Sequence, residues 1–230
     1  MISHSHNFIY FRNPKTASHA ILKYLDSQEV TLKNIPYDVE SESYTGFLKT
    51  FYKFHLSGKL LKREIDTNIY KDYFKFSFVR NPWDKMVSMW RYMEKHTFLS
   101  YVNSKSFTGF ARRKYSFWDK NSGSNLNEYV EINKLIPDKL TFDAFLLYIF
   151  DSEMKVIFES GSSFSKNADF IGKYENLKND FDFICDKLKL PRTNLDVANK
   201  SDRNKDYRVY YNNRTRDLVG DAFSEDIINF

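Results

Sequence analysis

The chain has 230 residues, of which 42% are hydrophobic and 18% aromatic; this is enough for the core of one sizeable domain and too apolar for a disordered protein. Its 35 basic and 30 acidic residues give a net charge of +5, which suits a nucleotide, an acidic glycan or a nucleic acid without choosing among them. The single cysteine, Cys185, excludes an internal disulfide, and its apolar neighbours predict a core position. The chain lacks an 18-residue apolar run and the pattern of a secretory leader, so we expect a cytoplasmic protein.

Apolar periodicity predicts alternating strands and helices. The runs 8–11 and 74–79 are predicted to be buried strands, each followed by an amphipathic helix, the second with Asn81 as N-cap and Pro82 in its first turn. Further helices are predicted over about 51–64, 140–150, 177–188 and the tail around 218–228, a short strand over 169–174, and loops over 27–50, 99–135 and 152–168. This alternation predicts a single α/β domain, 1–230, with a mainly parallel central sheet, in which about 99–168 is a variable excursion.

Two strand–turn–helix junctions are the most informative segments. Residues 8–18 read FIYFRNPKTAS and residues 76–84 read FSFVRNPWD. In both, a strand stops at an arginine and a proline follows, where the N-terminus of a helix presents backbone N–H groups and a positive dipole end. The pair predicts a ligand with two separate anionic groups.

Each turn offers side chains suited to an anion. Arg12 and Lys15 flank the first turn, where the small residues 16–18 allow close approach of the backbone, and Arg80 with Ser88 would form a cradle for a phosphate monoester. The Walker pattern GxxxxGK[ST] is absent from the sequence, which disfavours a Walker-type kinase. An ordinary proline-initiated helix with basic surface residues is the alternative interpretation of either turn alone.

Taken in order, these motifs resemble those of sulfotransferases that use 3'-phosphoadenosine 5'-phosphosulfate (PAPS), in particular the Golgi-type carbohydrate enzymes and their bacterial relatives. The resemblance covers most of the chain apart from about 27–50 and 99–168. Its segments are the 5'-phosphosulfate loop at 14–18, the 3'-phosphate motif at 76–88, the block DFIGKYENL at 169–177 and the tail segment 199–211. Family members often carry Trp, Pro and Gln in an acceptor segment before the third block, whereas residues 153–166 contain none of the three. The identity of the acceptor is therefore not inferred from relatives.

The resemblance implies a P-loop-like fold that moves a sulfuryl group from PAPS, as co-substrate, to an acceptor hydroxyl on a carbohydrate. We expect no metal, because the transferred sulfuryl group carries a single negative charge, and no nucleic-acid partner; the lack of an 18-residue apolar run predicts no membrane span. By motif position, Lys15 would contact the leaving phosphate oxygen, and the 3'-phosphate would lie between Arg80 and Ser88. The remaining residues implied for donor binding are Arg12, Thr16, Ala17, Ser18 and His19 at the 5' end, Tyr174 near the adenine, and Ser201 and Arg203 closing over the nucleotide.

The acceptor proton needs a base, and His55 is the favoured candidate because related enzymes carry a catalytic histidine between the two turns. A carboxylate such as Glu64 or Asp66 is the alternative. The basic cluster 112–114 is a candidate contact for an acidic acceptor or an ordinary solvated loop. Two other function classes stay open: another nucleotide-dependent transferase or kinase, and a non-catalytic binder of acidic polymers.

Overall fold

A computed structural model describes residues 1–33, 55, 62–96, 141–151, 161–196 and 202–230. The chain divides into two compact units: Met1–Lys85, Val156–Lys200 and Val219–Phe230 form the first, and Met86–Lys155 with Ser201–Leu218 form the second. The regular elements are, in chain order, β1 (Ile2–Ser3), β2 (Phe8–Phe11), α1 (Ser18–Ser27), α2 (Thr67–Asp72), β3 (Phe74–Val79), α3 (Pro82–His96), α4 (Phe142–Asp151), α5 (Gly161–Ser165), β4 (Phe170–Lys173), α6 (Leu177–Leu188), α7 (Asn213–Ala222) and α8 (Ser224–Asn229), with 3-10 turns at Tyr174–Asn176 and Tyr207–Tyr210.

Among the described residues, the first unit contains a four-stranded mixed sheet in the order β1-β2-β3-β4. β1 runs antiparallel to β2, whereas β2, β3 and β4 are parallel, with Tyr10 opposite Phe76 and Phe78 opposite Gly172. Parallel strands end at the same edge of a sheet, so the segments that follow β2, β3 and β4 all leave from one edge. This register brings the two predicted anion-binding turns to the same side of the first unit.

Helices and loops cover both faces of the sheet, which explains why β2 is apolar at every position and wholly buried. One face packs against the apolar sides of α1 and α6, and the other, which includes Ile2 of β1, packs against the α2 region. The buried residues of the first face are Phe8, Tyr10, Ile21, Leu25, Val30, Phe76, Phe78, Phe181, Ile184, Cys185 and Leu188; those of the second are Ile2, Ile9, Phe11 and Tyr70. Each such side chain contributes about 1.5–3 kcal/mol through burial, so this core fixes the positions of the strand ends.

The second unit has its own aromatic centre. The ring of Phe142, at the start of α4, lies 5.4 Å from that of Trp90 and 4.9 Å from that of Tyr211. Nearby, the Asn212 side-chain amide donates to the Asp143 carboxylate at 3.2 Å, and burial raises the pKa of that carboxylate. No helix among the described residues is long and apolar enough to cross a membrane.

The predicted α/β class is confirmed, as are the strands at 8–11 and 74–79 and the helix over 177–188. Cys185 is buried, as expected. Asn81 caps α3, because its side-chain oxygen accepts from the Asp84 N–H at 3.2 Å.

Other predictions were wrong or incomplete. Residues 161–165 form α5, not part of a loop, since their N-terminal N–H groups are capped by a residue 65 positions away. The closing segment is two helices, α7 and α8, and neither α2 nor the antiparallel β1 was predicted. Most of the predicted 51–64 helix, the 99–135 excursion and the 112–114 cluster lie outside the described residues, although 62–64 are helical.

Candidate functional site

The first predicted turn has an unusual backbone. Lys15 and Ala17 both adopt left-handed conformations, with φ of 64° and 62°. For residues other than glycine this conformation costs about 1–2 kcal/mol each, and it is retained where surrounding contacts impose it. One such contact is the bond from the Thr16 hydroxyl to the Asn13 carbonyl, at 2.8 Å. Alternation of left- and right-handed residues turns successive N–H groups into a concave anion-binding surface.

Helix α1 begins in this turn without a side-chain cap. Its N-cap residue is Ala17, which has no side-chain oxygen to accept from the first N–H groups. The first bond of the helix runs from the Ile21 N–H to the Ala17 carbonyl at 3.1 Å. The N–H groups of residues 17–20 therefore precede the first intrahelical bond. A ten-residue helix that opens in this way, with Arg12 and Lys15 beside it, is suited to an anionic ligand.

Arg80 connects the second turn to the first. Its Nε and Nη2 atoms donate to one oxygen of Asp84 at 2.8 and 2.6 Å, and its Nη1 donates to the carbonyl of Lys15 at 2.9 Å. The guanidinium also lies 3.9 Å from the centre of the Tyr174 ring, a cation–π contact. Arg80 is buried, so these contacts hold its charge at a fixed place beside the first turn.

The third motif also reaches the second turn. The backbone N–H of Asn81 donates to the Glu175 carboxylate at 2.8 Å, and the adjacent Tyr174 supplies the ring beneath Arg80. Both residues follow β4, whose register beside β3 places them there. Three motifs that are far apart in sequence thus meet at one edge of the sheet.

His55 lies next to Arg12. Its Nδ1 is 3.0 Å from the Arg12 carbonyl, and because a carbonyl only accepts, Nδ1 carries the hydrogen and the neutral ring has its lone pair on Nε2. Burial, together with the positive charges of Arg12 and Lys85, lowers the pKa of His55 to about 4, against the smaller opposing effect of this hydrogen bond. His55 is therefore neutral at pH 7, the protonation state that a base requires.

A buried amine lies behind the turn. The Lys85 ammonium is 3.4 Å from the side-chain oxygen of Asn13 and 5.4 Å from the ring centre of Phe223, and both Lys85 and Asn13 are buried. A lysine held in this way adds positive charge to the site without facing solvent. Sequence motifs gave no indication of its burial.

The other predicted site residues are placed differently. Ser88 and Arg203 lie in the second unit, Ser88 buried and Arg203 half-buried, and Ser201 lies outside the described residues. The two carboxylates considered as alternative bases already have partners. Asp66 caps α2 by accepting from the N–H groups of residues 68 and 69, and Glu64 pairs with Arg63.

Comparisons with known proteins agree with this geometry. The fold is a mainly parallel α/β sheet whose strand ends carry two turns with basic residues, and the family model described as the sulfotransferase family matches residues 1–228. The chain belongs to the sulfotransferase family. It is also 28% identical, over 149 residues, to an uncharacterized protein of Archaeoglobus fulgidus, a match that covers 65% of this chain and 94% of that protein. No solved structure matches significantly.

Proposed function

We propose that this protein transfers a sulfuryl group from PAPS to a hydroxyl group of a carbohydrate acceptor. Membership of the sulfotransferase family supports the reaction class. The observation that carries the donor assignment is the left-handed start of α1, which has no side-chain cap, follows Arg12 and Lys15 in sequence and is bonded to Arg80 through the Lys15 carbonyl. Such a site offers several backbone donors and fixed positive charge to a phosphosulfate.

In this proposal the first turn binds the 5' end of the donor. Lys15 neutralises charge that develops on the phosphate oxygen as the S–O bond to it breaks, and Arg12 with the N–H groups of residues 16–19 fixes the phosphate. Arg80 and Ser88 bind the 3'-phosphate, Tyr174 lies near the adenine, and Ser201 with Arg203 closes over the nucleotide. Sulfuryl transfer depends mainly on such in-line positioning and charge neutralisation.

His55 acts as the base. Its Nε2 lone pair takes the proton of the acceptor hydroxyl while the hydroxyl oxygen forms a bond to sulfur, and the electrons of the breaking S–O bond remain on the 5'-phosphate of the product. The Nδ1 bond to the Arg12 carbonyl fixes the tautomer that this step needs. General base catalysis of this kind contributes about 10²–10⁴-fold.

A thermal-shift titration tests the donor. Adenosine 3',5'-bisphosphate, the product nucleotide, should stabilise the protein without Mg²⁺, and ATP at equal concentration should stabilise it much less. Equal shifts would favour another nucleotide-dependent transferase or a kinase. No shift from either nucleotide, with stabilisation by heparin, would favour a binder of acidic polymers.

Replacement of His55 by Ala tests the base. Turnover should fall by at least about 10²-fold while the affinity for the bisphosphate is retained. Glu64→Gln is the matched control and should leave turnover unchanged, since Glu64 pairs with its neighbour Arg63. Turnover that survives in His55→Ala would remove His55 as the base.

The acceptor is tested separately, because the donor site does not specify it. Transfer of labelled sulfate should be screened over a panel of glycans and small alcohols. We expect a glycan to be the best acceptor; preferential labelling of a small alcohol would contradict the carbohydrate assignment.

A further inference from the structure

Arg80 has more partners than a residue that only binds a phosphate requires. Its three hydrogen bonds use three of the five guanidinium N–H groups, and one of them ends on the backbone of the other turn, at the Lys15 carbonyl. Asp84 and the Tyr174 ring hold the guanidinium from the side and from one face. The side chain is therefore oriented before any ligand is bound.

The bond to Lys15 has a direct consequence for the first turn. In a trans peptide the C=O and the following N–H point in opposite directions. Holding the Lys15 carbonyl toward Arg80 thus directs the Thr16 N–H away from Arg80, and it stabilises the left-handed conformation of Lys15. This N–H is one of those assigned above to the 5' end of the donor.

We propose that Arg80 is a positioning residue for the first turn: by holding the Lys15 peptide, it couples the 3'-phosphate subsite to the 5'-phosphosulfate subsite. This rests on the proposed function for the identity of the two subsites. A ligand that lacks a 3'-phosphate still depends on Arg80, because the turn that binds its 5' end is kept in shape by that side chain. Asp84 contributes by orienting Arg80.

The test is calorimetric binding of two nucleotides to Arg80→Lys. Lysine keeps the positive charge but has no planar fork to bond Asp84 and Lys15 together or to stack on Tyr174. We expect Arg80→Lys to weaken adenosine 3',5'-bisphosphate and also adenosine 5'-diphosphate, which has no 3'-phosphate, each by about tenfold or more. Asp84→Asn should weaken both in the same direction by a smaller factor.

Arg192→Lys is the matched control. Like Arg80, Arg192 donates from Nε and Nη2 at 2.8 and 2.6 Å, to the two oxygens of Asp186, but it is exposed on the loop after α6. The Arg192→Lys variant should leave the affinities for both nucleotides unchanged. If Arg80→Lys weakens only the bisphosphate, Arg80 is a simple 3'-phosphate ligand and the coupling is overturned; if neither affinity changes, it is overturned as well.

A second measurement separates this proposal from the donor assignment. If the wild-type protein binds neither nucleotide, the proposed donor is wrong, and the amide ¹H–¹⁵N signal of Thr16 in the unliganded protein decides the role of Arg80. That signal should move in Arg80→Lys and stay in place in Arg192→Lys. An unmoved signal in both variants contradicts the positioning role whatever the ligand is.

Discussion

His55 is neutral in the unliganded protein because of its surroundings. Burial disfavours the imidazolium, and the charges of Arg12 and Lys85 add to this effect. An anionic donor would offset those two charges. The basicity of His55 should therefore increase when the donor is present, which is when a base is needed.

NMR titration of His55 checks this coupling. The pKa should be about 4 in the unliganded protein and should rise when adenosine 3',5'-bisphosphate is bound. His19, exposed at the start of α1, provides a second histidine signal in the same spectra. A pKa of His55 that the nucleotide leaves unchanged would contradict an anion site beside Arg12.

The same pKa predicts the acid stability of the protein. Between the unfolded value of about 6.5 and the folded value of about 4, the unfolded chain binds more protons, so the free energy of unfolding falls as the pH falls through this window. The loss from this residue is at most about 3 kcal/mol. Urea unfolding of wild type and His55→Gln at pH 7 and pH 4.5 should show a smaller pH dependence in the variant.

Ala17 occupies a position that favours glycine. Because its φ is 62°, Ala17→Gly should relieve strain and raise the free energy of unfolding by about 1 kcal/mol. Ala20→Gly, inside α1, is the control and should lower it by about 0.5–1 kcal/mol. Two destabilised variants would show that the turn is not left-handed at Ala17.

At the scale of elements, the contact between β3 and β4 depends on one glycine. Gly172 lies opposite Phe78, and a Cβ on Gly172 would come within 2.4 Å of the Phe78 ring. The ring can lie across β4 only because that side chain is missing. Tyr174 and Glu175 follow β4 directly, so this packing also sets their positions in the site.

Gly172→Ala should therefore lower the free energy of unfolding by about 1–3 kcal/mol, through displacement of the Phe78 ring. Gly220→Ala in α7 is the matched control. A Cβ there would lie 3.5 Å from Trp83, an ordinary contact, and alanine favours the helix by about 0.8–1 kcal/mol. Denaturant unfolding of the two variants should give changes of opposite sign.

The elements that the sequence predicts best are those whose pattern is local. β2 and β3 are each recognised from one apolar run, and α6 is recognised from the apolar periodicity of its own residues. The observed bounds of these three elements match the predicted ones closely. α2, which follows the capping residue Asp66, has only six residues and is too short to show an apolar periodicity. α5 depends on a cap by Asp226, which is far away in sequence. Within the site, the residue types were predictable, but the left-handed Lys15 and its bond to Arg80 were not, since neither residue type nor spacing encodes a contact across 65 positions.

At the scale of the whole molecule, Asp226 ties α8 to α5. Its carboxylate accepts from the N–H of Gly161 at 2.5 Å and from that of Ser162 at 2.7 Å, and it is buried. A Cβ on Gly161 would lie 3.1 Å from this carboxylate and 3.2 Å from the Asn13 side-chain nitrogen. The end of the chain thus packs close to the first turn.

Asp226→Ala should leave both N–H groups without this acceptor and lower the free energy of unfolding by about 1–3 kcal/mol. Asp221→Ala, exposed in α7, is the control and should change it by about 0.5 kcal/mol or less. Urea unfolding measures both. A loss no larger in Asp226→Ala than in the control would mean that the cap adds nothing to stability.

The contacts that hold the first turn join residues far apart in sequence, so they form at different stages of protein synthesis. Residues 12–18 leave the ribosome before the residues that contact their turn: Arg80, which holds the Lys15 peptide, follows Lys15 by 65 residues, and Tyr174 and Asp226 come later still. A nascent chain that ends before Arg80 would therefore carry the turn without the side chain that holds the Lys15 peptide, and one that ends before β4 would have Arg80 without the Tyr174 ring. Because long-range pairing in a parallel sheet forms slowly, competence to bind the proposed donor should appear at the end of folding, well after the first helix has formed.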